Sequence, residues 1–321
     1  MAGRAAAAGE ASGYGKDPER SEGRAAAAGE ASGYGRSPRA KRGRGLDGGR
    51  FQGALSYAVL TALGLIVLFP FYWMTVTSFK GEDQMRSLVS MFWPSPFLLE
   101  NYQQLIAKTE FVNWYANSIF VAVASTVLAT AVGTVGAYAL ARLRFLGRGF
   151  MASATLITYL VPPSILFIPL YAQIKTLGLA NSLCGLILSY PSFTVPFVTW
   201  LLMGYFESIP EELEEAAMID GATRFGAFRR IILPLAAPGV LAAALYAFTQ
   251  AWNEFLYSLV FITDARLRTL PVGLASFITG DVYGWGYLMA GAVLTTLPVI
   301  AAYMYLQKYM VEGLTAGSVK G

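Results

Sequence analysis

Long apolar runs recur along this chain, and they constrain its fold more than any other feature. Each exceeds the roughly 20 residues that a helix needs to cross the hydrocarbon core of a bilayer. They occupy residues 51–79, 111–141, 149–174, 177–206, 231–263 and 270–307, with 284–307 as the spanning part of the last. Only helices and closed barrels can cross a bilayer, and barrel strands alternate polar and apolar residues over about ten positions. These runs stay apolar for longer, so the sequence predicts an all-α membrane protein with six transmembrane helices.

The composition also indicates a membrane protein surrounded by lipid. Charged residues make up 14% of the chain and hydrophobic residues 55%, whereas soluble domains contain about a quarter charged residues. The net charge of +4 is explained by basic loops at the membrane surface. It therefore predicts no nucleic-acid partner.

The positions of arginine and lysine predict how the chain is oriented. Basic residues concentrate on the cytoplasmic side of membrane proteins. They cluster before the first run, in the second and fourth loops and after the last run, as Arg36, Arg39, Lys41, Arg42, Arg44, Arg50, Arg142, Arg144, Arg148, Arg224, Arg229, Arg230, Lys308 and Lys320. We therefore expect a multi-pass protein of the inner (cytoplasmic) membrane with both termini in the cytoplasm.

The beginning of the chain differs from the rest. Residues 3–15 and 23–35 are identical copies of GRAAAAGEASGYG. A segment rich in Gly, Ala and Ser has too few large apolar side chains to offset the entropy lost on ordering. We predict a disordered, low-complexity tandem-repeat extension over residues 1–48 and a single membrane domain over residues 49–321.

The residue types present argue against catalysis by this chain. It contains no histidine and a single cysteine, Cys184, so it cannot form an ordinary zinc site or a disulfide framework. It also lacks the GxxxxGK[ST] pattern that cradles the phosphates of ATP. We predict a non-catalytic protein with no metal site.

Residues 211–239, called the acidic loop below, interrupt the apolar pattern between the fourth and fifth runs. Ser208 and Glu211 have the spacing of a capping box, which predicts a helix start. Gly221 allows the backbone to turn before a second short helix. The first helix carries the glutamates Glu211, Glu212, Glu214 and Glu215. Amphipathic helices that lie on the anionic inner leaflet are usually basic, so these glutamates favour a protein partner over a surface helix.

One side of that first helix is suited to close contact. Spacings of three and four place Leu213, Ala216, Ala217 and Asp220 together. The two adjacent alanines are expected to flatten this side, so that another backbone can approach it.

Motifs in the acidic loop resemble those of a known family. Glu215-Ala216-Ala217, Gly221 and then Ile231-Ile232-Leu233-Pro234 are similar to the EAA loop of permease subunits in binding-protein-dependent ABC importers. The resemblance extends over about residues 55–321. Trp252-Asn253-Glu254-Phe255 and Leu270-Pro271-Val272-Gly273-Leu274 are typical of the carbohydrate-uptake branch, and the closing segment resembles its MalG-type subunits.

The resemblance implies a role for the acidic loop. It would be a cytoplasmic two-helix coupling loop between helices 4 and 5, which docks into a cleft of an ATPase and transmits its closure to the membrane helices. The residues that the resemblance assigns to this docking are Leu213, Glu214, Glu215, Ala216, Ala217, Asp220, Gly221, Ile231, Leu233 and Pro234.

The resemblance also implies the machine in which the chain works. The chain would be a permease subunit that forms the translocation path for a sugar or oligosaccharide. Its partners would be a dimer of cytoplasmic ABC ATPases, a second and different permease subunit, and an extracytoplasmic substrate-binding protein. ATP and Mg would bind to the ATPase, and this chain would bind no cofactor.

Polar residues in the fifth run are candidates for the substrate path. Gln250, Asn253, Glu254 and Tyr257 have spacings that place them on one face of a continuous helix, and Trp252 lies beside them. Amide, carboxylate and aromatic groups suit the hydroxyls and apolar ring faces of sugars. Equally, Asn253 and Glu254 could join helices through buried hydrogen bonds.

Other functions remain open at this point. The same machine could carry glycerol phosphate or a polyamine instead of a sugar. A membrane-embedded enzyme or scaffold fits poorly, because the chain has no histidine and no metal-ligand cluster. A secondary transporter would need no acidic docking loop, and the six runs show no obvious inverted repeat. Only an ABC importer requires a separate ATPase for transport.

Overall fold

The computed structural model describes residues 46–87, 91–279 and 282–318. The repeats of the predicted extension, 1–48, therefore lie outside the described residues. The chain divides into two compact units, residues 1–58 and 59–321. The described part of the first unit is the beginning of a single helix, which continues into the second unit at Val59.

The described residues are almost entirely helical, which confirms the predicted all-α class. The helices are α1 Leu46–Ser78, α2 Glu82–Arg86, α3 Glu100–Lys108, α4 Phe111–Arg142, α5 Arg148–Tyr159, α6 Pro163–Thr176, α7 Leu183–Ser189, α8 Pro191–Glu207, α9 Glu212–Ile219, α10 Arg224–Ala227, α11 Leu233–Leu235, α12 Ala237–Trp252, α13 Leu256–Phe261, α14 Leu270–Ala275 and α15 Trp285–Ser318. A π-helical turn, Phe228–Ile232, joins α10 to α11, and a 3-10 turn, Ala265–Leu267, precedes α14. Two short antiparallel strands, β1 Ile278–Thr279 and β2 Val282–Tyr283, pair with Ile278 opposite Tyr283.

Several of these helices are suited to crossing a membrane. In the described ranges, the segments that are long and apolar enough on their own are Leu55–Ser78, Phe111–Arg142, Leu183–Glu207 and Trp285–Lys308. Two further pairs of helices are long enough only when their members are taken together. Each pair is bent, with an angle of 101° between α5 and α6 and of 75° between Arg224–Leu235 and α12. Length and composition thus give four to six spans, and the count of six stays a prediction.

The sharp bend between α5 and α6 has a cause in the sequence. Pro162 is the cap residue before α6, and Pro163 is its first residue. Proline has no N–H to donate to the preceding turn, and it disfavours a helical conformation in the residue before it. Two successive prolines therefore prevent α5 from continuing into α6.

Helix α4 is the centre of the packing. It makes its most extensive contacts with α8 and then with α12, which also packs against α15 and α8. The approach of α4 to α8 depends on Gly133, because a Cβ atom there would lie 2.5 Å from Cγ1 of Val198. Val198 is fully buried, and its branched side chain has little freedom to move away.

Two hydrophobic clusters lie at opposite ends of α4. The first contains Trp114 near the beginning of the helix, and the second contains Tyr138 near its end. Other large buried side chains of the first cluster include Leu105, Leu186, Tyr190, Trp252, Tyr257, Phe261 and Leu270. Those of the second include Val198, Leu202, Phe206, Phe228 and Ile232. The acidic loop belongs to the second cluster, and the broken end of the fifth run belongs to the first.

The packing of α4 on α8 predicts a difference between two nearby glycines. We expect Gly133→Ala to lower the free energy of unfolding by about 1–3 kcal/mol, because the added methyl group overpacks against Val198. Gly136→Ala is the matched control, since its Cβ would meet Thr199 at an ordinary 3.6 Å. It should be neutral or stabilising by up to about 1 kcal/mol through helix propensity. Thermal unfolding of both variants in the same detergent measures this, and equal midpoints would contradict the packing argument.

Candidate functional site

Gly221 ends the first helix of the acidic loop in the way that the sequence predicts. Its φ angle is 92°, a left-handed conformation that side chains disfavour. The Gly221 N–H donates to the carbonyl of Met218 at 3.1 Å, and the Ala222 N–H donates to that of Ala217 at 3.0 Å. These two bonds form a Schellman motif, which closes α9 and reverses the chain.

The start of α9 differs from the prediction. The residue that precedes the helix is Glu211, and it makes no side-chain cap bond. The Ser208 hydroxyl instead donates to the carbonyl of Tyr205 at 2.7 Å. The predicted capping box is therefore wrong, because Ser208 still belongs to the end of α8. In the second half of the loop, Thr223 does cap α10 by accepting the Gly226 N–H at 3.1 Å.

The acidic loop has an inner and an outer side. Glu214 and Ala217 face inward and are 5% and 7% exposed. Large apolar side chains project outward, with Leu213 at 43%, Phe225 at 70% and Ile219 at 86% exposure. Two adjacent alanines therefore do not form one flat side as expected, since Ala216 is exposed and Ala217 is buried.

The residues assigned to docking from the sequence divide accordingly. Those that are exposed are Leu213, Glu215, Ala216, Asp220, Gly221 and Pro234, those that are half-buried are Ile231 and Leu233, and those that are buried are Glu214 and Ala217. The sequence-based assignment did not include Ile219 or Phe225, the two most exposed large apolar side chains of the loop. The spacing of three residues between Glu214 and Ala217 could have indicated that they share the inner face of α9, since residues three apart lie on one side of a helix.

The inner side of the loop is bonded to the end of α4. The Tyr138 hydroxyl donates to Oε1 of Glu214 at 2.5 Å. The guanidinium of Arg142 has its Nε atom 4.0 Å from Oε2 of Glu214 and its Nη1 atom 3.6 Å from Oε1 of Glu211. The ring of Tyr138 also packs on that of Phe228, with 4.4 Å between the centroids. Side chains from α4 thus hold both halves of the loop.

Arg142 and Arg148, from which the orientation was predicted, also bond to backbone carbonyls. Nη2 of Arg142 donates to the carbonyl of Phe206 at 2.8 Å and also to that of Ile209. Arg148 donates from Nε to the carbonyl of Leu140 at 2.5 Å and from Nη2 to that of Ala141 at 2.9 Å. The last carbonyls of a helix have no partner within it, and cations near them are stabilising. The two arginines therefore cap the ends of α8 and α4.

A polar cavity lies beside these contacts. Its volume is about 340 Å³, and its lining residues are Arg142, Arg144, Glu211, Glu214, Glu215, Met218 and Arg224. The cavity borders the acidic loop and contains charged groups of both signs. Within residues 46–87, 91–279 and 282–318, no group of three or more His, Cys, Asp or Glu side chains is placed to hold a metal ion.

The fifth run is broken where its candidate path residues lie. Helix α12 ends at Trp252, and α13 begins at Leu256. The prediction that Gln250, Asn253, Glu254 and Tyr257 share one helical face is therefore wrong. Gln250 and Asn253 are exposed, whereas Trp252 and Tyr257 are buried in the first cluster.

Glu254 lies between α12 and α13 and accepts hydrogen bonds from the start of α13 and from Tyr190. Its carboxyl oxygens accept the N–H of Tyr257 at 2.7 Å and that of Ser258 at 3.1 Å, which caps the start of α13. The Tyr190 hydroxyl, from the junction of α7 and α8, donates to Oε2 at 2.9 Å. Of the two interpretations of Glu254, these bonds support the structural one. The Asn253 amide donates back to the carbonyl of Thr249 at 2.8 Å.

Comparison with known proteins identifies relatives of the whole membrane part of the chain. The profile of the family described as "binding-protein-dependent transport system inner membrane component" matches residues 129–315. The chain is 39% identical over 267 residues to the inner membrane ABC transporter permease protein YcjP of Escherichia coli (strain K12), which covers 83% of this chain and 95% of that protein. It is 38% identical over 263 residues to the trehalose/maltose transport system permease protein MalG of Thermococcus litoralis, covering 81% and 94% respectively.

A solved structure agrees with these relatives. A chain of a bacterial ABC transporter involved in the import of the acidic polysaccharide alginate superposes with a TM-score of 0.70 at 25% identity. The superposition covers 81% of this chain and 96% of that chain. The similarity thus includes almost the entire length of the protein compared.

The bonds to Glu254 predict how substitutions affect stability. We expect Glu254→Ala to lower the free energy of unfolding by at least about 2 kcal/mol, because each buried donor left without an acceptor costs about 1–3 kcal/mol. Glu254→Gln keeps one carbonyl oxygen as an acceptor and should cost less. Glu212→Ala, at an exposed position, is the control. The measurement is the thermal midpoint in detergent, and a midpoint for Glu254→Ala equal to that of the control would contradict the prediction.

Proposed function

The chain belongs to the family of binding-protein-dependent transport system inner membrane components, and from this premise we propose that it carries a sugar or oligosaccharide into the cell. It is a multi-pass inner-membrane permease of an ABC importer and a non-catalytic subunit of that machine. The relatives support a carbohydrate cargo, because one is named for trehalose and maltose and another imports alginate.

Exposed amides on the fifth run support a polar path. Gln250 lies near the end of α12, and Asn253 follows it at the break. Polar side chains at membrane depth are costly against lipid, so they normally face a wet cavity or another chain. We assign these two residues to the translocation path, where amide groups can exchange hydrogen bonds with sugar hydroxyls. Glu254, Trp252 and Tyr257 shape the wall behind them.

The outer side of the acidic loop is the observation that carries the proposed coupling. Leu213, Ile219 and Phe225 project from a loop whose first helix is otherwise strongly acidic. Exposed apolar side chains rimmed by charge mark sites of protein contact. The occupant we propose is a cleft of a cytoplasmic ABC ATPase with basic residues at its rim, which would meet Glu212 and Glu215. ATP and Mg bind on that partner, and this chain binds neither.

The remaining partners and the orientation follow from the same proposal. A dimer of ATPases needs two docking loops, so a second permease subunit, a different chain, supplies the other one. An extracytoplasmic binding protein delivers the sugar. Both termini lie in the cytoplasm, which the basic residues around the second and fourth loops support.

Isolation of the assembled machine tests this function. The tagged chain, expressed in the organism that encodes it and purified in mild detergent, should bring with it a P-loop ATPase and a second permease. ATP hydrolysis should rise when a co-expressed binding protein loaded with maltose, trehalose or an alginate oligosaccharide is added. A lone oligomer without ATPase would contradict the importer. An intact complex that responds only to glycerol phosphate or a polyamine would contradict the sugar cargo.

Gly221 provides a test of docking. Gly221→Asp adds a charged side chain at the tip of α9 and should lower uptake at least about tenfold, which corresponds to roughly 1.4 kcal/mol of lost docking free energy. Membrane insertion should be unchanged. Gly178→Asp is the control, because Gly178 also has a positive φ, of 71°, and open space around it, but lies on the opposite side of the membrane in this orientation.

The two variants separate docking from backbone strain. Equal losses of uptake in Gly221→Asp and Gly178→Asp would mean that strain alone is responsible. Wild-type uptake and wild-type co-purification of the ATPase in Gly221→Asp would overturn docking at this loop.

A further inference from the structure

The inner side of the acidic loop makes contacts that docking does not require. Glu214 is a carboxylate 5% exposed on a loop whose other glutamates are in water. Withdrawing a charged group from water is unfavourable unless partners compensate for it. Its partners are Tyr138 and Arg142, and both lie in the last two turns of α4.

These contacts join parts of the chain that are distant in sequence. The acidic loop follows α8 directly and leads directly into α12, but Tyr138 precedes Glu214 by 76 residues. The connection of the loop to α4 is therefore made by side chains alone. Arg142 extends it, because the same guanidinium that lies near Glu214 also donates to the carbonyls of Phe206 and Ile209 at the end of α8.

The outer and inner sides of α9 thus have separate partners. Leu213 and Ile219 project into solvent, while Glu214 faces α4. A partner seated on the outer side can move the loop without breaking the inner contacts. Conversely, loss of the inner polar contacts leaves the outer side intact, and the loop is then held to α4 by apolar packing such as that of Tyr138 on Phe228.

We propose that Tyr138, Arg142 and Glu214 form a latch, which makes the acidic loop and α4 move as one body when the ATPase closes. The three are positioning residues that act through α4, and none of them contacts the sugar or the nucleotide. The inference rests on the proposed function, in that the ATPase supplies the movement. The latch itself is a property of this chain and can be measured without a partner.

The first measurement is the distance between the loop and α4. Nitroxide labels are attached to cysteines that replace Arg229 on the loop and Val135 on α4, both exposed, in a Cys184→Ser background. We expect one narrow distance distribution, which does not change when ATP and vanadate are added to the assembled complex. Tyr138→Phe removes only the hydroxyl and keeps the ring, and it should broaden or shift the distribution.

The size of the change follows from the bond that is lost. A hydrogen bond to a charged group stabilises by an amount equivalent to about a tenfold shift in a two-state ratio. The ratio of attached to detached loop should therefore fall about tenfold in Tyr138→Phe. Tyr303→Phe, on an exposed face of α15, is the matched control and should leave the distribution unchanged.

The second measurement is a double-mutant cycle on coupling. In proteoliposomes, uptake of radiolabelled maltose or trehalose is divided by ATP hydrolysed for Tyr138→Phe, Glu214→Leu and the double variant. Leucine has a volume similar to that of Glu214 but no charge, so Arg142 is left with Glu211 as its acidic neighbour. Each single variant should still bind the ATPase but transport several-fold less sugar per ATP. The double variant should lose no more than Glu214→Leu alone, because the Tyr138 hydroxyl then has no acceptor left to lose.

The outcomes distinguish the latch from the proposed function. If no ATPase co-purifies with the wild type, the proposed function fails, while the distance measurement on the permease alone still decides the latch. A narrow, unchanged distribution in Tyr138→Phe, or a wild-type distance that shifts with ATP and vanadate, would overturn the latch. Losses that add in the double variant would also overturn it, because they would show that Tyr138 and Glu214 act separately.

Discussion

The absence of water inside a bilayer is the constraint on which this structure depends. A backbone group that leaves a helix there must find a partner within the protein. The fold interrupts two of the apolar runs, before Pro163 and around Glu254, and side chains at these breaks supply the partners. Tyr257 connects the two interruptions, because its N–H donates to Glu254 while its hydroxyl donates to the Pro163 carbonyl at 3.0 Å. The two breaks therefore lie close together, and one residue, Tyr257, contributes a hydrogen bond at each of them.

Glu214 and Glu254 solve the problem of a buried carboxyl group in different ways. Glu254 is held by two backbone N–H groups and a tyrosine hydroxyl, which are neutral donors fixed by the fold. Glu214 is held by Tyr138 and lies near Arg142, whose charge is of opposite sign. The first arrangement adjoins the first hydrophobic cluster and favours rigidity. The second belongs to the loop side, where the guanidinium of Arg142 is shared by two carboxylates, at 3.6 Å from Glu211 and 4.0 Å from Glu214.

The sequence predicted the elements whose signal is local and left out those that depend on tertiary contacts. Apolar runs locate the spans because hydrophobic length is a local property, and Gly221 marks the end of α9 because its turn needs a positive φ. The shared face of Gln250 and Tyr257 was wrong because a spacing argument assumes a continuous helix, and Glu254 breaks that helix by capping the next one. The predicted capping box at Ser208 was wrong for a similar reason. Helix α8 extends one residue beyond the apolar run, so Ser208 ends α8 and does not begin α9. The contact between Tyr138 and Glu214 has no local signal, because the two residues are far apart in the chain.

Helix α4 connects the two clusters, and its stiffness has a mechanical consequence. Trp114 and Tyr138 are 24 residues apart in one unbroken helix, which places them about 36 Å apart along its axis. The helix therefore behaves as a lever. A tilt of about 10° at the end that holds the acidic loop would displace the other end by about 6 Å over a rod of this length. A displacement of that order is comparable to one helical turn, so a small rotation at the Tyr138 end is enough to rearrange the packing around Trp252, which contacts Tyr115 at the opposite end of the helix.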